Sequence, residues 1–358
     1  MLFLSFLKCV FKSIVKGWAV FFVLIILNLV LICSSLKAHP LMIQKIKISI
    51  VDDFHPVFLK QLQPFFEVDY QPSIERKDIL SQVYNSEVIA VRSKINFDES
   101  LIKLLPNLKC IARGGAGMDN IDEEYAIKRG IVLLNAPEGN RNAVAEHCIG
   151  LLIGLSKNIV KGHQNVVDLN WDREGNRGWE IKGKKIGIIG YGNTGSTFAQ
   201  KLSSFDCEVL VYDKYKNAES NAYLTNVDLE TLKKESDVIS LHIPLTKETN
   251  QMINNSFIEG LKQGVVLINT SRGNVVNQSS LLNWIKSGKI KQYATDVLEN
   301  ENLKTFNASE NLLFEGLLST NQVIITPHVA GWSHESYFNI ADVLSKKLID
   351  FSSSVKKN

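Results

Sequence analysis

Cysteine is scarce in these 358 residues: there are five, an odd number, and none forms a Cys-x-x-Cys pair. A disulfide scaffold and a thiolate metal centre are thereby excluded, and scattered thiols point to a reducing compartment, the cytoplasm. The histidines show no i, i+4 metal spacing, so no metal is expected. An excess of either charge is also missing. The 40 Lys+Arg face 37 Asp+Glu. Four of the lysines (Lys8, Lys12, Lys16, Lys37) lie in an acid-free first 41 residues, which leaves a body one charge on the acidic side of neutral. Such a body offers no electrostatic footprint for nucleic acid. Low-complexity tracts and internal repeats are absent, and a 45% apolar share excludes a disordered chain.

One long hydrophobic run is present. Trp18–Cys33 reads WAVFFVLIILNLVLIC, sixteen residues with Asn28 alone polar. Lysines precede it, Ser34, Ser35 and Ala38 follow it, and it falls short of the ~20 residues of a spanning helix. That is the layout of a signal peptide or a short membrane anchor. The other reading is that translation starts at Met42, where MIQKIKISIVDD opens directly into a buried strand. A membrane is a partner only if residues 1–41 are retained, and in every reading they stand apart from the fold.

Beyond the leader, apolar runs of strand length alternate with helical patterns. The strands expected are Ile46–Val51, Val88–Val91, Cys110–Ala112 and Ile131–Leu134, then Lys185–Ile189, Val209–Tyr212, Val238–His242, Val265–Asn269, Tyr293–Asp296 and Val323–Thr326. Such alternation means βαβ units and parallel sheets covered on both faces, and the number of strands calls for two α/β domains. Asn142–Lys161 has helical apolar spacing and is expected to be one long joining helix, with Asn142 as its N-cap and Glu146 in its first turns. Phe65 and Phe66 are expected in the core.

The strongest local signal is KKIGIIGYGNTGSTFAQ. Gly190, Gly192 and Gly195 form Gly-x-Gly-x-x-Gly directly after an apolar strand and before a helix. The first glycine permits the tight turn, the second lets backbone approach a pyrophosphate, and the third packs helix on strand. Eighteen residues beyond Gly195, the strand EVLVYD ends in Asp213, placed to take the ribose hydroxyls of NAD and to repel the extra phosphate of NADP. Lys214 partly offsets that repulsion.

Three later strands each end in an ionisable group: Arg272 after VVLINTS, Asp296 and Glu301 in YATDVLENE, and His328 in VIITPH. Ligands bind at the carboxyl ends of strands in a doubly wound sheet, so these groups converge on the nicotinamide end of the cofactor. Arginine offers a planar fork for a carboxylate. Histidine exchanges the hydroxyl proton, and a glutamate beside it fixes its tautomer and raises its pKa. Taken singly, each has a plainer reading: a tethering arginine, a solvated loop acid, a strand-end histidine bonded to backbone. His242 favours that structural reading, with Ile243 and Pro244 bordering adenine or ribose. His55, His147, His163 and His334 carry no assigned chemistry.

Together these motifs resemble the D-isomer-specific 2-hydroxyacid dehydrogenase family. The resemblance covers Ile46 to about Phe351 and is carried by RGGAGMDNID (Arg113–Asp122), NAPEGNRNAVAEH (Asn135–His147), the GYGNTG loop, SLHIPLT, INTSRGNVV, the Asp296–Glu301 segment and TPHVAGW. It implies that Arg272 binds the substrate carboxylate, Glu301 pairs with His328, and His328 is the general acid in reduction. Ala116 and Gly117 would offer N–H groups to the carboxylate. Asn193, Thr194, Asp213, Thr270, Ser271, Asp296 and Gly331 would join the glycines as NAD contacts. The implied architecture is a Rossmann-type cofactor domain (141–329) inserted into a flavodoxin-like substrate domain (42–140 plus 330–358), both doubly wound parallel sheets. The implied assembly is a homodimer.

Within the family, VRSKINFDE resembles the phosphoglycerate dehydrogenases, in which Arg92 and Lys94, with Arg113, would hold a phosphate or second anion. Lys94 stands where Arg is usual, Asn96 where Thr is usual, and Asn302 where proline commonly follows the glutamate. The partner implied is a small 2-keto or 2-hydroxy acid, with 3-phosphoglycerate one candidate and hydroxypyruvate, glyoxylate or D-lactate types the alternatives. Glu301 argues against formate dehydrogenases, which carry a Gln–His pair. An NAD-sensing scaffold of the corepressor type keeps the same fold and triad and is the rival of a different class.

Overall fold

Short apolar strands and short helices alternate from Ile46 onward, as their two-residue and near-four-residue periodicities require. The structure is a computed structural model that describes residues 45–355, so the run Trp18–Cys33 lies outside the described residues. The first elements are β1 (Ile46–Ile50), α1 (Pro56–Leu62), β2 (Phe66–Tyr70), α2 (Ile79–Val83), β3 (Val88–Val91), α3 (Glu99–Ile102), β4 (Cys110–Arg113), α4 (Glu123–Lys128) and β5 (Val132–Asn135). The strands pair in parallel in the order β2-β1-β3-β4-β5, the flavodoxin-like order. Ile48, Ile50, Ala90 and Ala112 pack on one face with Phe58 of α1; Ile89, Val91 and Ile111 pack on the other with Ile79, Val83 and Ile102. Burial on both faces is why β3 reads VIAV with no polar residue. Asp98 and Asp122 start α3 and α4 by accepting the N–H groups of Leu101 and Tyr125.

The expected single helix Asn142–Lys161 is in fact two, α5 (Pro137–Ser156) and α6 (Ile159–Val167). Asn142 is not its cap. Pro137 begins the helix earlier, at a position where its missing N–H has no bond to lose, and the Asn142 amide donates to Glu146 from inside the helix. Asn158, at φ 51°, interrupts the ladder, and the two axes diverge by 61°. Among the described residues no single helix is long and apolar enough to cross a membrane.

The second sheet follows: β6 (Lys185–Ile189), α7 (Asn193–Leu202), β7 (Glu208–Tyr212), β8 (Leu224–Asn226), α8 (Leu229–Glu235), β9 (Val238–Leu241), α9 (Asn255–Glu259), β10 (Val265–Asn269), α10 (Gln278–Lys286), β11 (Ile290–Thr295), α11 (Ala308–Ser319), β12 (Val323–Ile325) and α12 (His334–Val355). Its order is β12-β11-β10-β9-β6-β7-β8, all parallel. This is the Rossmann order with one strand added, and the winding reverses between β6 and β9, where such sheets bind ligands. α5 and α7 cover one face of this sheet, while Phe257, Leu281 and Trp284 cover the other. Finally α12 returns to the first sheet, where Ile340, Leu344 and Leu348 join the cluster of Ile48 and Phe58. The second sheet is thus inserted into the first unit.

Two strands escape the sequence reading, β2 and β8. Each is a sheet edge, and neither FEVDY nor LTN forms an apolar run, because an edge is partly solvated. Of the paired phenylalanines, Phe66 is buried, whereas Phe65 is exposed and does not belong to the core.

Candidate active site

The turn after β6 is shaped by what it leaves out. Gly190 sits at φ +94°, and a Cβ there would lie 2.4 Å from the His242 carbonyl oxygen. A Cβ at Gly192 would meet nothing within 4 Å, so open space lies ahead of α7, whose first N–H groups, from Asn193 and Thr194 on, have no helical partners. A bare turn, open space and unpaired donors at a helix start fit a pyrophosphate. Asp213 stands just past β7, its carboxylate fixed by the N–H groups of Tyr191 (2.7 Å), Tyr215 (2.8 Å) and Lys216 (3.0 Å). Lys214 is paired with Glu248 instead of facing a ligand alone. Ile243 and Pro244 follow β9 on the other side of the winding reversal, and the Ile243 side chain reaches the Gly190 turn. His242 takes the structural role: it is partly buried, its imidazole bonds the Ser240 hydroxyl, and desolvation pushes its pKa down to about 4. After β10, the Thr270 hydroxyl meets Cys148 and Ser271 bonds the Asn269 side chain, fixing the turn that delivers Arg272.

Past β12, His328 occupies the left-handed region at φ 55°, unusual for a residue with a side chain. Asp296 holds it there. The His328 N–H donates to the Asp296 carbonyl, while the Asp296 carboxylate accepts the Thr326 hydroxyl (2.5 Å) and the Val329 (2.9 Å) and Ala330 (2.7 Å) N–H groups. Only the lone pairs left by these donors remain for a cofactor. His147, given no chemistry from sequence, joins this network through Thr326. Nδ1 of His328 lies 2.9 Å from both carboxylate oxygens of Glu301. That hydrogen bond outweighs desolvation and raises the His328 pKa. Burial alone would raise Glu301, but the hydrogen bond and charge of His328 prevail and hold it below the usual range. With Nδ1 committed, Nε2 is the nitrogen left to exchange a proton. Asn302 caps the short turn that follows Glu301 by accepting the Lys304 N–H, and so serves where proline is common.

Arg272 is close enough for its charge to act on both members of this pair. Its Nε and Nη2 donate to Asp119 at 3.0 and 2.6 Å, and its Nη1 donates to the Ser271 carbonyl at 2.6 Å. Asp119 belongs to the loop after β4. In that loop Gly117 approaches Arg272 so closely that a Cβ would fall 1.7 Å from Nη2, and the Ala116 carbonyl accepts the Asn135 amide. Arg113, at the end of β4, has a buried Nε with no hydrogen-bond partner among the described residues. Desolvation and the like charges of Arg272 and Arg92 lower its pKa. The Arg92 guanidinium lies 4.6 Å from the Trp332 ring centroid and 5.3 Å from that of Tyr337, and Nη1 donates to the Asp53 carbonyl. Lys94 is engaged elsewhere, on the carbonyl of Pro72. Gly331 abuts Asn140, near the start of α5.

Sequence reasoning missed Asp119, Trp332 and Tyr337. Asp119 sits inside the quoted RGGAGMDNID motif, but its partner is 153 residues away and no local pattern announces it. Trp332 did carry a signal, a large aromatic directly after TPHVAG, and it is 68% exposed.

Residues 149–330 match the D-isomer specific 2-hydroxyacid dehydrogenase NAD binding domain. The chain is 34% identical over 288 residues to the D-3-phosphoglycerate dehydrogenase of Archaeoglobus fulgidus, covering 80% of this chain but 53% of that protein. It therefore spans about half the length of this relative. It is 34% identical over 275 residues to the hydroxypyruvate reductase of Thermotoga maritima, covering 77% of this chain and 88% of that protein. The solved D-lactate dehydrogenase of Aquifex aeolicus, complexed with NAD and lactic acid, matches with a TM-score of 0.75 at 29% identity, over 86% of this chain and 95% of that one. With its glycine turn, its paired histidine and glutamate and its arginine at successive strand ends, the chain belongs to the D-isomer-specific 2-hydroxyacid dehydrogenase family and carries that family's NAD-binding domain.

Proposed function

We propose that this chain is an NAD-dependent oxidoreductase that interconverts a D-2-hydroxy acid and its 2-keto acid. The observation that carries the reading is the meeting of the His328–Glu301 pair with Arg272 at the strand ends beside the glycine turn. The dinucleotide, when bound, supplies or accepts the hydride at the substrate C2. Gly190, Gly192, Gly195 and the start of α7 would hold its pyrophosphate and Asp213 its ribose, with the Asn193–Thr194, Ile243–Pro244, Thr270–Ser271, Asp296 and Gly331 positions around it. Arg272 neutralises and orients the substrate carboxylate with its fork. His328, its hold on a proton strengthened by the hydrogen bond to Glu301, delivers a proton to the carbonyl oxygen as hydride arrives at C2. In the reverse direction the same nitrogen takes the hydroxyl proton.

Three guanidinium groups, from Arg92, Arg113 and Arg272, and the Arg113 Nε left unbonded among the described residues support a substrate with a second anionic group. The first substrate pair to test is therefore 3-phosphoglycerate and 3-phosphohydroxypyruvate. The hydroxypyruvate reductase likeness favours a smaller keto acid as the second reading. The domain division at 42–140 with 330–358 against 141–329 belongs to the same proposal. Both chain crossings lie together where Gly331 meets Asn140, a place for a hinge that closes the cleft and expels water. The free, buried Cys110, Cys148 and Cys207 support work in the cytoplasm. The exposed apolar residues Leu169 and Trp171, beyond α6, support a homodimer.

The test is NADH turnover with 3-phosphohydroxypyruvate, hydroxypyruvate, glyoxylate and pyruvate, repeated with NADPH. Arg272→Ala should abolish keto-acid reduction and leave NADH affinity nearly intact, because the residues proposed to hold the cofactor are elsewhere. An unchanged kcat/KM in that variant removes the carboxylate role.

A further inference from the structure

We propose that Asp119 is a positioning residue that clamps Arg272, so that one N–H on each terminal nitrogen stays free for the substrate carboxylate. The inference rests on the dehydrogenase reading above and extends it to a residue of the opposite loop.

A guanidinium has five N–H donors in a rigid fork. Asp119 takes Nε and one hydrogen of Nη2, and the Ser271 carbonyl takes one hydrogen of Nη1. What remains is one hydrogen on Nη1 and one on Nη2, two charged donors for the two oxygens of a carboxylate. An arginine without these two partners would have several rotamers and would lose freedom on binding. With them, the plane and these two donors are set beforehand, which is how a binding group avoids an entropic cost.

Charge supplies a second reason. Arg113 and Arg92 press like charge on this corner, and Asp119 is the carboxylate in direct contact with Arg272. Asp119 lets the cationic groups gather without mutual repulsion driving Arg272 aside. The loop is built around the contact. A Cβ at Gly117 would come within 1.7 Å of Arg272 Nη2 and 2.5 Å of the Asp119 carboxylate. Because the two residues hang from β4 and β10, strands of different sheets, the clamp also registers the substrate loop against the catalytic one.

The experiment uses the full chain with NADH bound. Oxalate serves as a carboxylate probe with no reducible ketone, its affinity read by fluorescence, beside NADH affinity, kcat and KM for the best keto acid. For Asp119→Ala, NADH affinity should stay within about twofold. The oxalate Kd and the KM should rise at least tenfold, and kcat/KM should fall about 10²-fold, the cost of a misplaced binding group. Asp119→Glu should recover part of the loss. Asp119→Asn, which keeps the shape and loses the charge, carries the test if the alanine variant does not fold. Wild-type oxalate affinity and KM in the folded variants, or tighter oxalate binding, would overturn the clamp. Tighter binding would make Asp119 a competitor of the substrate. A wild-type protein whose oxalate affinity depends on Asp119 yet which reduces no keto acid refutes the dehydrogenase reading and retains the clamp. One that reduces a keto acid but binds no oxalate refutes the clamp and retains the dehydrogenase reading.

Discussion

At the residue scale, His328 concentrates the most physics. Its left-handed backbone costs on the order of 1–3 kcal/mol, which the Asp296 network must offset. His328→Asn is therefore the informative change, because asparagine accepts this conformation while losing the proton. Reduction should slow on the order of 10²–10⁴-fold, with the fold unperturbed by circular dichroism. The pH profile follows from the direction of each shift. Raised by Glu301, His328 stabilises the fold fully below the ordinary histidine range and ceases to do so as pH rises through its folded pKa. Glu301, held low, stabilises above the ordinary glutamate range and ceases to do so as pH falls through its own. Both side chains are nearly half exposed, so the effect on stability is small and activity is the better readout. The kcat/KM for keto-acid reduction should fall as pH rises through the His328 pKa, and Glu301→Gln should move that fall to lower pH. A descending limb that does not move in Glu301→Gln would assign the proton to another group.

At the scale of elements, the packing of α5 on α12 ties the two ends of the first unit together. Gly139, in the first turn of α5, faces the Ile340 backbone, and a Cβ there would lie 2.6 Å from the Ile340 N and Cα. A main-chain neighbour cannot rotate away. Gly139→Ala should therefore cost about 1–3 kcal/mol, read as a lower denaturation midpoint. A midpoint equal to wild type would mean that the helices part without loss. The same scale shows what the sequence made legible. Strands buried on both faces, such as VIAV and VVLIN, declare themselves as apolar runs, and their ends locate Arg92 and Arg272. Edge strands β2 and β8 do not, since most of their residues are exposed or only partly buried. The α5–α6 break turns on one asparagine in a left-handed conformation, which composition does not distinguish from a helical one. In the site, Glu301 and His328 were found by their place at strand ends. Asp119 needed the fold to bring two sheets together.

At the scale of the whole molecule, an exposed apolar segment spanning the end of α6 and the residues just beyond it is a feature that the single chain does not account for. Val166, Val167, Leu169 and Trp171 are all at least half exposed, with Leu169 at 96% and Trp171 at 79%. Patches of this kind mark association sites. If a second copy covers them, Leu169→Glu with Trp171→Glu should halve the mass seen by light scattering and leave the glycine turn competent for NADH. Wild-type protein that is monomeric across the micromolar range removes the homodimer.

The return of α12 to the first sheet has a consequence for synthesis. A nascent chain delivers Ile48 and Phe58 nearly 300 residues before Leu344 and Leu348. The later-made sheet therefore completes its core before the earlier-made one does. Until α12 is out of the exit tunnel, one flank of the leading sheet stays uncovered, and that interval is when a chaperone has most to protect.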